Sequence, residues 1–125
     1  MLEDARILAG DLSRLDILKE RGVRFLTLTW AGETCIGGSH DTGAPLTAFG
    51  RDVVNECFAL GIIPDVSHAS RAVTTEVLQL AKEHGKTVIA THSNAFSVHP
   101  HSRNLTDDEF RAIADLGGIV GISLC

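Results

Sequence analysis

At 125 residues, with 44% apolar and 22% charged residues, the chain can bury a core and is ordinary in composition for a globular domain, which argues against disorder. A net charge of -5 gives no electrostatic reason to expect nucleic acid or an anionic membrane as partner. No run approaches the roughly 18 apolar residues of a membrane span, and the N-terminus lacks a basic region followed by an apolar core.

Met1-Leu2-Glu3-Asp4 opens the chain with no lead-in, and Leu2-Glu3 reads as the tail of a strand. Asp11 is expected to cap a helix whose Leu12, Leu15 and Leu18 share one face, with Gly22 as its left-handed stop. Residues Val23 to Trp30 form an apolar, β-branched run expected to be a strand. The polar stretch from Ala31 to Leu46 carries Gly37-Gly38 and Gly43. It exceeds the usual connection length, so it is either functional or mobile. A second helix is expected from Thr47 to Leu60, closed by Gly61, and a strand from Ile62 to Ser67. Ser70 caps a third helix with Val73, Val77, Leu78 and Ala81 inward and Gly85 as its stop. Thr87–Thr91 is the next strand, and a polar loop runs from His92 to Leu105. Thr106 and Glu109 form a capping box that opens a fourth helix, which Gly117-Gly118 ends. The last apolar run, Gly118 to Leu124, reads as a strand, and a complete α/β domain seldom stops on one; a fragment is expected.

Strand and helix therefore alternate, as in an α/β protein with a parallel sheet covered by crossover helices. A doubly wound sheet and a piece of a barrel both fit. No GxGxxG or Walker-type loop follows a strand, which lowers the dinucleotide and P-loop readings. Cys35, Cys57 and Cys125 are odd in number and lack CxxC spacing, so they read as free thiols in a reducing, cytoplasmic setting.

Two of the strand-like runs end in a histidine, His68 and His92. In a parallel barrel all strand C-termini open into one cavity, so two such imidazoles, one helix apart, can face a shared metal. The alternative is that each caps its loop by hydrogen bonding. Glu3 can bring a carboxylate to the same opening, or be a surface residue. Arg103 can grip a substrate carboxylate in a bidentate fashion, or be a solvated loop arginine. Asp65 can point inward and orient a ligand. His40, His84, His99 and His101 are weaker candidates, and Cys35 and Cys57 read as packing or loop residues.

These residues stand in motifs that resemble a known family. Glu3-Asp4, Val23 to Trp30, Leu46-Thr47-Ala48-Phe49-Gly50, Asp65-Val66-Ser67-His68, Thr91-His92-Ser93-Asn94-Ala95 and Ser102-Arg103-Asn104-Leu105-Thr106 look like the membrane (renal) dipeptidase family of zinc peptidases. The resemblance implies a (β/α)8 TIM barrel, of which residues 1–125 would be a single-domain fragment from about the third to the seventh strand. It implies a dinuclear zinc enzyme that hydrolyses dipeptide amide bonds with a metal-bridging hydroxide. By resemblance Glu3 falls at the bridging glutamate, His68 and His92 at the histidines of the second zinc, and Arg103 at the arginine that binds the dipeptide carboxylate. The His-x-Asp pair of the other zinc is not found here, and a proton-transferring aspartate would lie beyond Cys125, so no catalytic set is complete. Trp30 stands where the mammalian enzymes carry a histidine. The expectation is a parent dipeptidase and an inactive fragment. The competing expectation is a catalytically dead half-barrel that binds at most one metal and forms homo-oligomers through exposed barrel edges.

Overall fold

A computed structural model describes residues 1–124; the expected free thiol Cys125 lies outside the described residues. Three short strands, β1 (Leu2–Glu3), β2 (Phe25–Thr27) and β3 (Ile63–Asp65), form a parallel sheet in the order β1-β2-β3. Leu2 pairs with Leu26, and Thr27 pairs with Asp65, so the strand ends are level. Two single parallel bridges carry the pattern onward, Asp65 to Ile89 and Ala90 to Val120. Four helices alternate with these segments: α1 (Arg14–Glu20), α2 (Ala48–Leu60), α3 (Arg71–His84) and α4 (Asp107–Asp115). The alternation, with the three strands and these two onward bridges all parallel, is what a partial (β/α) barrel requires.

The helix boundaries follow from local chemistry. Thr47, Ser70 and Thr106 accept hydrogen bonds from the backbone N–H groups of Gly50, Val73 and Glu109, satisfying donors that a helix start leaves unpaired. The capping box is complete: the Thr106 N–H donates to Glu109 Oε2 at 2.7 Å. Gly61 and Gly85 take the left-handed conformation at φ 66° and 60° and end α2 and α3. Helices α2 and α3 bury Val53, Val54, Cys57, Val73, Val77 and Ala81 against Leu26, Leu28 and Val66. Each buried valine or leucine contributes about 1.5–3 kcal/mol relative to exposure.

Two expectations need correction. Asp11 does not cap α1. Its carboxylate accepts from the Ser13 N–H at 3.1 Å and the Ser13 hydroxyl at 2.6 Å, closing a turn of its own, and the helix starts only at Arg14. A short acidic side chain that can satisfy the backbone two residues on competes with helix initiation in this way. The strands are also shorter than their apolar runs. Val23 to Trp30 yields only Phe25–Thr27, and Thr87–Thr91 and Gly118–Leu124 yield isolated bridges. Ladder length depends on a partner in register, and Ile119, Ile122 and Leu124 stand 72%, 66% and 103% exposed. Val120 bridges to Ala90, and the Ser93 N–H donates to the Gly121 carbonyl at 2.8 Å.

The segment from Ala31 to Leu46 is tied down rather than loose. The His40 N–H donates to the His68 carbonyl at 2.8 Å, and the Ser70 N–H to the Gly38 carbonyl at 3.0 Å. Gly50 lets α2 press against this segment, since a Cβ there would sit 2.0 Å from the Ile36 carbonyl oxygen. The loop is thus held over the C-terminal end of β3.

Candidate metal centre

The ends of β1 and β3 and the segment after Ile89 converge on one point. Glu3 ends β1, His68 follows β3 by three residues, and His92 follows the Ile89–Ala90 bridges. Glu3 Oε1 lies 3.4 Å from His68 Nε2 and 3.4 Å from His92 Nε2. The two Nε2 atoms are 2.8 Å apart. Among the described residues no other group of three histidine, cysteine, aspartate or glutamate side chains converges within 4.8 Å.

The backbone bends to make this possible. The Asp65 carboxylate accepts from the Ser67 N–H at 2.9 Å, and the Val66 carbonyl accepts from the Ala69 N–H at 3.1 Å. His68, the third residue of that turn, takes φ 67°, a left-handed conformation that glycine adopts freely and histidine does not. Such a residue costs about 1–3 kcal/mol, which the surrounding bonds must offset.

The electrostatics suit a neutral ligand. Burial, reinforced by the cationic Arg103 and the facing His92 and His40, pushes the His68 imidazole down to about 4. Its ring is therefore uncharged at neutral pH, with a lone pair to offer. Asp65 is fully buried. Burial alone would raise its pKa, but donors from Thr91, Thr27 and the Ser67 and Thr91 backbone outweigh it and hold the carboxyl below its usual range.

The donor set fits a divalent transition metal. Two imidazoles and a carboxylate are ordinary zinc ligands, and ligand atoms on a tetrahedral ion at about 2.0–2.1 Å stand about 3.3 Å apart. The two Glu3 contacts match that spacing. The imidazole pair is nearer, at hydrogen-bond distance, and has to open by about 0.5 Å to do so.

Beside this triangle lies a cavity of about 380 Å³ lined by His40, His68, His92, Asn94, Arg103 and other polar residues. Arg103 is half-buried in the loop after His92. Its guanidinium donates to Ser93 Oγ at 3.0 Å and to the His92 carbonyl at 2.7 Å, so it is aimed and has donors to spare. The loop base is fixed by Arg71, which donates to Glu109 at 2.5 Å and to the Asn104 carbonyl at 3.3 Å. Trp30 is half-exposed, with its ring centroid 6.4 Å from that of His68.

Of the four residues singled out from sequence, Glu3, His68 and His92 meet, and Arg103 stands over the same opening. Asp65 points inward but touches neither histidine's ring; it bonds Thr27 and Thr91. His40, one of the weaker candidates from sequence, is drawn into the cavity wall by its loop; Thr91, which was not singled out, contacts His92 directly. The signal for Thr91 was present, since Thr27, Asp65 and Thr91 are polar residues within or at the end of largely apolar runs.

A parallel α/β arrangement with two histidines and a glutamate gathered at its strand ends defines a candidate metal-binding site. The chain belongs to the membrane dipeptidase family (peptidase family M19), whose description matches residues 1–125. It is 34% identical over 130 residues to the dipeptidase aclJ of Aspergillus oryzae, covering 98% of this chain and 29% of that protein. It is 33% identical over 133 residues to an uncharacterized protein in the PQQ-III 3' region of Acinetobacter calcoaceticus, covering 98% of this chain and 40% of that protein. A metallo peptidase from Rhodobacter sphaeroides, solved with a phosphinate mimic of the dipeptide L-Ala-D-Ala, superposes with a TM-score of 0.82 at 36% identity, over 90% of this chain and 34% of that one. The chain thus spans two fifths or less of the length of each of these relatives. No helix among the described residues is long and apolar enough to cross a membrane.

Proposed function

We propose that this chain supplies one metal-binding corner and the carboxylate clamp of a dipeptidase barrel, and that by itself it holds a single divalent ion without turning over dipeptides. The observation that carries the reading is the Glu3–His68–His92 triangle, the one such convergence among the described residues. Residues 1–125 are, on this reading, one arc of a (β/α)8 barrel, from about the third to the seventh strand. In the whole protein the same three residues are half of a dinuclear zinc centre. Family membership and the motifs support that reading.

The roles follow from position. Glu3, His68 and His92 hold the ion, which when bound polarises a peptide carbonyl and lowers the pKa of water toward about 7. Arg103, braced by Ser93 and the His92 carbonyl, pairs with the C-terminal carboxylate of a dipeptide and so sets the scissile bond against the ligand triangle. The phosphinate mimic held by the Rhodobacter sphaeroides relative supports a dipeptide as substrate class. Exposed Ile119 and Ile122 support self-association of the isolated chain through its sheet edge.

The test is hydrolysis of L-Ala-D-Ala with zinc supplied. The 125-residue chain is expected to give no turnover above buffer. A longer product of the same gene that carries the whole barrel is expected to hydrolyse it, and to lose kcat/KM on Arg103→Ala. Turnover by the short chain overturns the division of labour, and an inactive long product overturns the assignment.

A further inference from the structure

We infer that Thr91 is a positioning residue that fixes the tautomer of His92, leaving Nε2 bare toward the ligand triangle, and that Asp65 compels it to do so. This rests on the metal-centre reading for its purpose, though not for its geometry.

Thr91 has one hydroxyl hydrogen and three polar neighbours, of which Ser67 Oγ is the farthest at 3.4 Å. Its Oγ1 is 2.6 Å from Asp65 Oδ2 and 2.8 Å from His92 Nδ1. Asp65 is buried, and its pKa is held low, so Oδ2 is an ionised acceptor. Two oxygens at 2.6 Å, one of them anionic, need a hydrogen between them. The hydroxyl hydrogen therefore goes to Asp65, and the Thr91 oxygen is left to accept. His92 Nδ1 must then carry a hydrogen and donate it. In a neutral imidazole that leaves Nε2 unprotonated, the form a metal requires.

The acceptor side is over-determined. Asp65 Oδ2 also receives the Thr27 hydroxyl at 2.7 Å, and Oδ1 receives the backbone N–H groups of Ser67 at 2.9 Å and Thr91 at 3.0 Å. Neither Asp65 oxygen can turn away. The backbone of His92 is pinned as well, its N–H donating to Ser67 Oγ at 3.1 Å. One buried carboxylate thus links the ends of β2, β3 and the next segment, and sets a proton on a ring it never touches. A hydrogen-bonded outer partner of this kind typically changes metal affinity by about 10–100-fold.

The first readout needs no metal. Long-range ¹H–¹⁵N spectra of the metal-free full chain are expected to show His92 as the Nδ1–H tautomer. In Asp65→Asn the amide oxygen takes the two backbone donors, so the amide nitrogen faces Thr91, whose hydrogen turns to His92 Nδ1. The ring is then expected to switch to the Nε2–H tautomer. The second readout is zinc affinity by competition with a chromophoric chelator. Thr91→Val is expected to weaken binding about 10–100-fold, and Thr91→Ser to stay within about threefold of the parent.

An Nε2–H ring in the unmodified chain overturns the inference, as does a folded Thr91→Val chain that binds zinc as tightly as the parent. Should a variant not fold, the tautomer in the unmodified chain decides. Should the expected tautomer appear with no zinc bound at all, the relay stands and the metal-centre reading fails.

Discussion

His68 and His92 face each other with their Nε2 atoms 2.8 Å apart and their ring planes inclined at 65°. They come from different strand ends, 24 residues apart in sequence, and Glu3 from a third strand end closes the triangle. Two rings this close cannot both carry a charge cheaply. The hydrogen-bond distance is compatible with one donating to the other in the metal-free chain, and with both turning their lone pairs to an ion when one is present.

The pH behaviour of His68 follows. With its pKa lowered to about 4 by burial and by its cationic neighbours, the folded form resists a proton that the unfolded chain accepts near the ordinary imidazole value of 6.5. Between these values the unfolded state binds more protons, so the contribution of His68 to stability is present above pH 6.5 and is lost as pH falls toward 4. An NMR titration of the metal-free chain is expected to show the His68 ring neutral down to about pH 4. A midpoint near 6.5 contradicts the burial and charge argument.

Asp65 has a structural weight separate from its effect on His92. Asp65→Ala strands the Thr27 and Thr91 hydroxyls and two backbone N–H groups, and a loss of about 2–4 kcal/mol in urea unfolding is expected. The carboxyl pKa is depressed in the fold, so its contribution is present above about pH 4 and fades as pH falls below it. A change under about 1 kcal/mol means the four donors find other partners.

The helix starts and stops were legible because they are decided locally: Ser70 or Thr106 within three residues of an N–H donor, Gly61 or Gly85 at a left-handed stop. The convergence of Glu3, His68 and His92 was legible because parallel strands end on one side of a sheet. Thr91 was missed because its importance depends on the register that brings it level with Asp65 across the sheet. His40 stood among the weaker candidates because its place is set by a backbone bond to His68, 28 positions on in the numbering. Asp11 misled because one side chain serves equally for a helix cap or a turn, and the choice rests on Ser13 two residues later.

Close backbone approach at Gly50 gives a third prediction. A Cβ there would stand 2.0 Å from the Ile36 carbonyl oxygen, on backbone that cannot swing aside as a side chain would. Gly50→Ala is expected to lower stability by about 3 kcal/mol and to loosen the segment that carries His40. Hydrogen exchange at Ser39 and His40 reads the loosening. An unchanged thermal midpoint shows that the segment can yield.

Cys57 offers a fourth. It is fully buried in the α2 face, and burial pushes its thiol up to about 12. Cys35 is exposed. A thiol-disulfide reagent at pH 8 is expected to label Cys35 within minutes and Cys57 only at the rate of unfolding. Rapid native labelling of Cys57 contradicts the packing of α2.

The most direct test of the account is the number of zinc ions the 125-residue chain holds, measured by titration and confirmed by metal analysis of the dialysed protein. One ion per chain is expected, with binding abolished in His68→Ala and His92→Ala and weakened at least tenfold in Glu3→Gln. Binding that survives loss of either histidine, or a stoichiometry of zero or two, contradicts a single centre built from Glu3, His68 and His92.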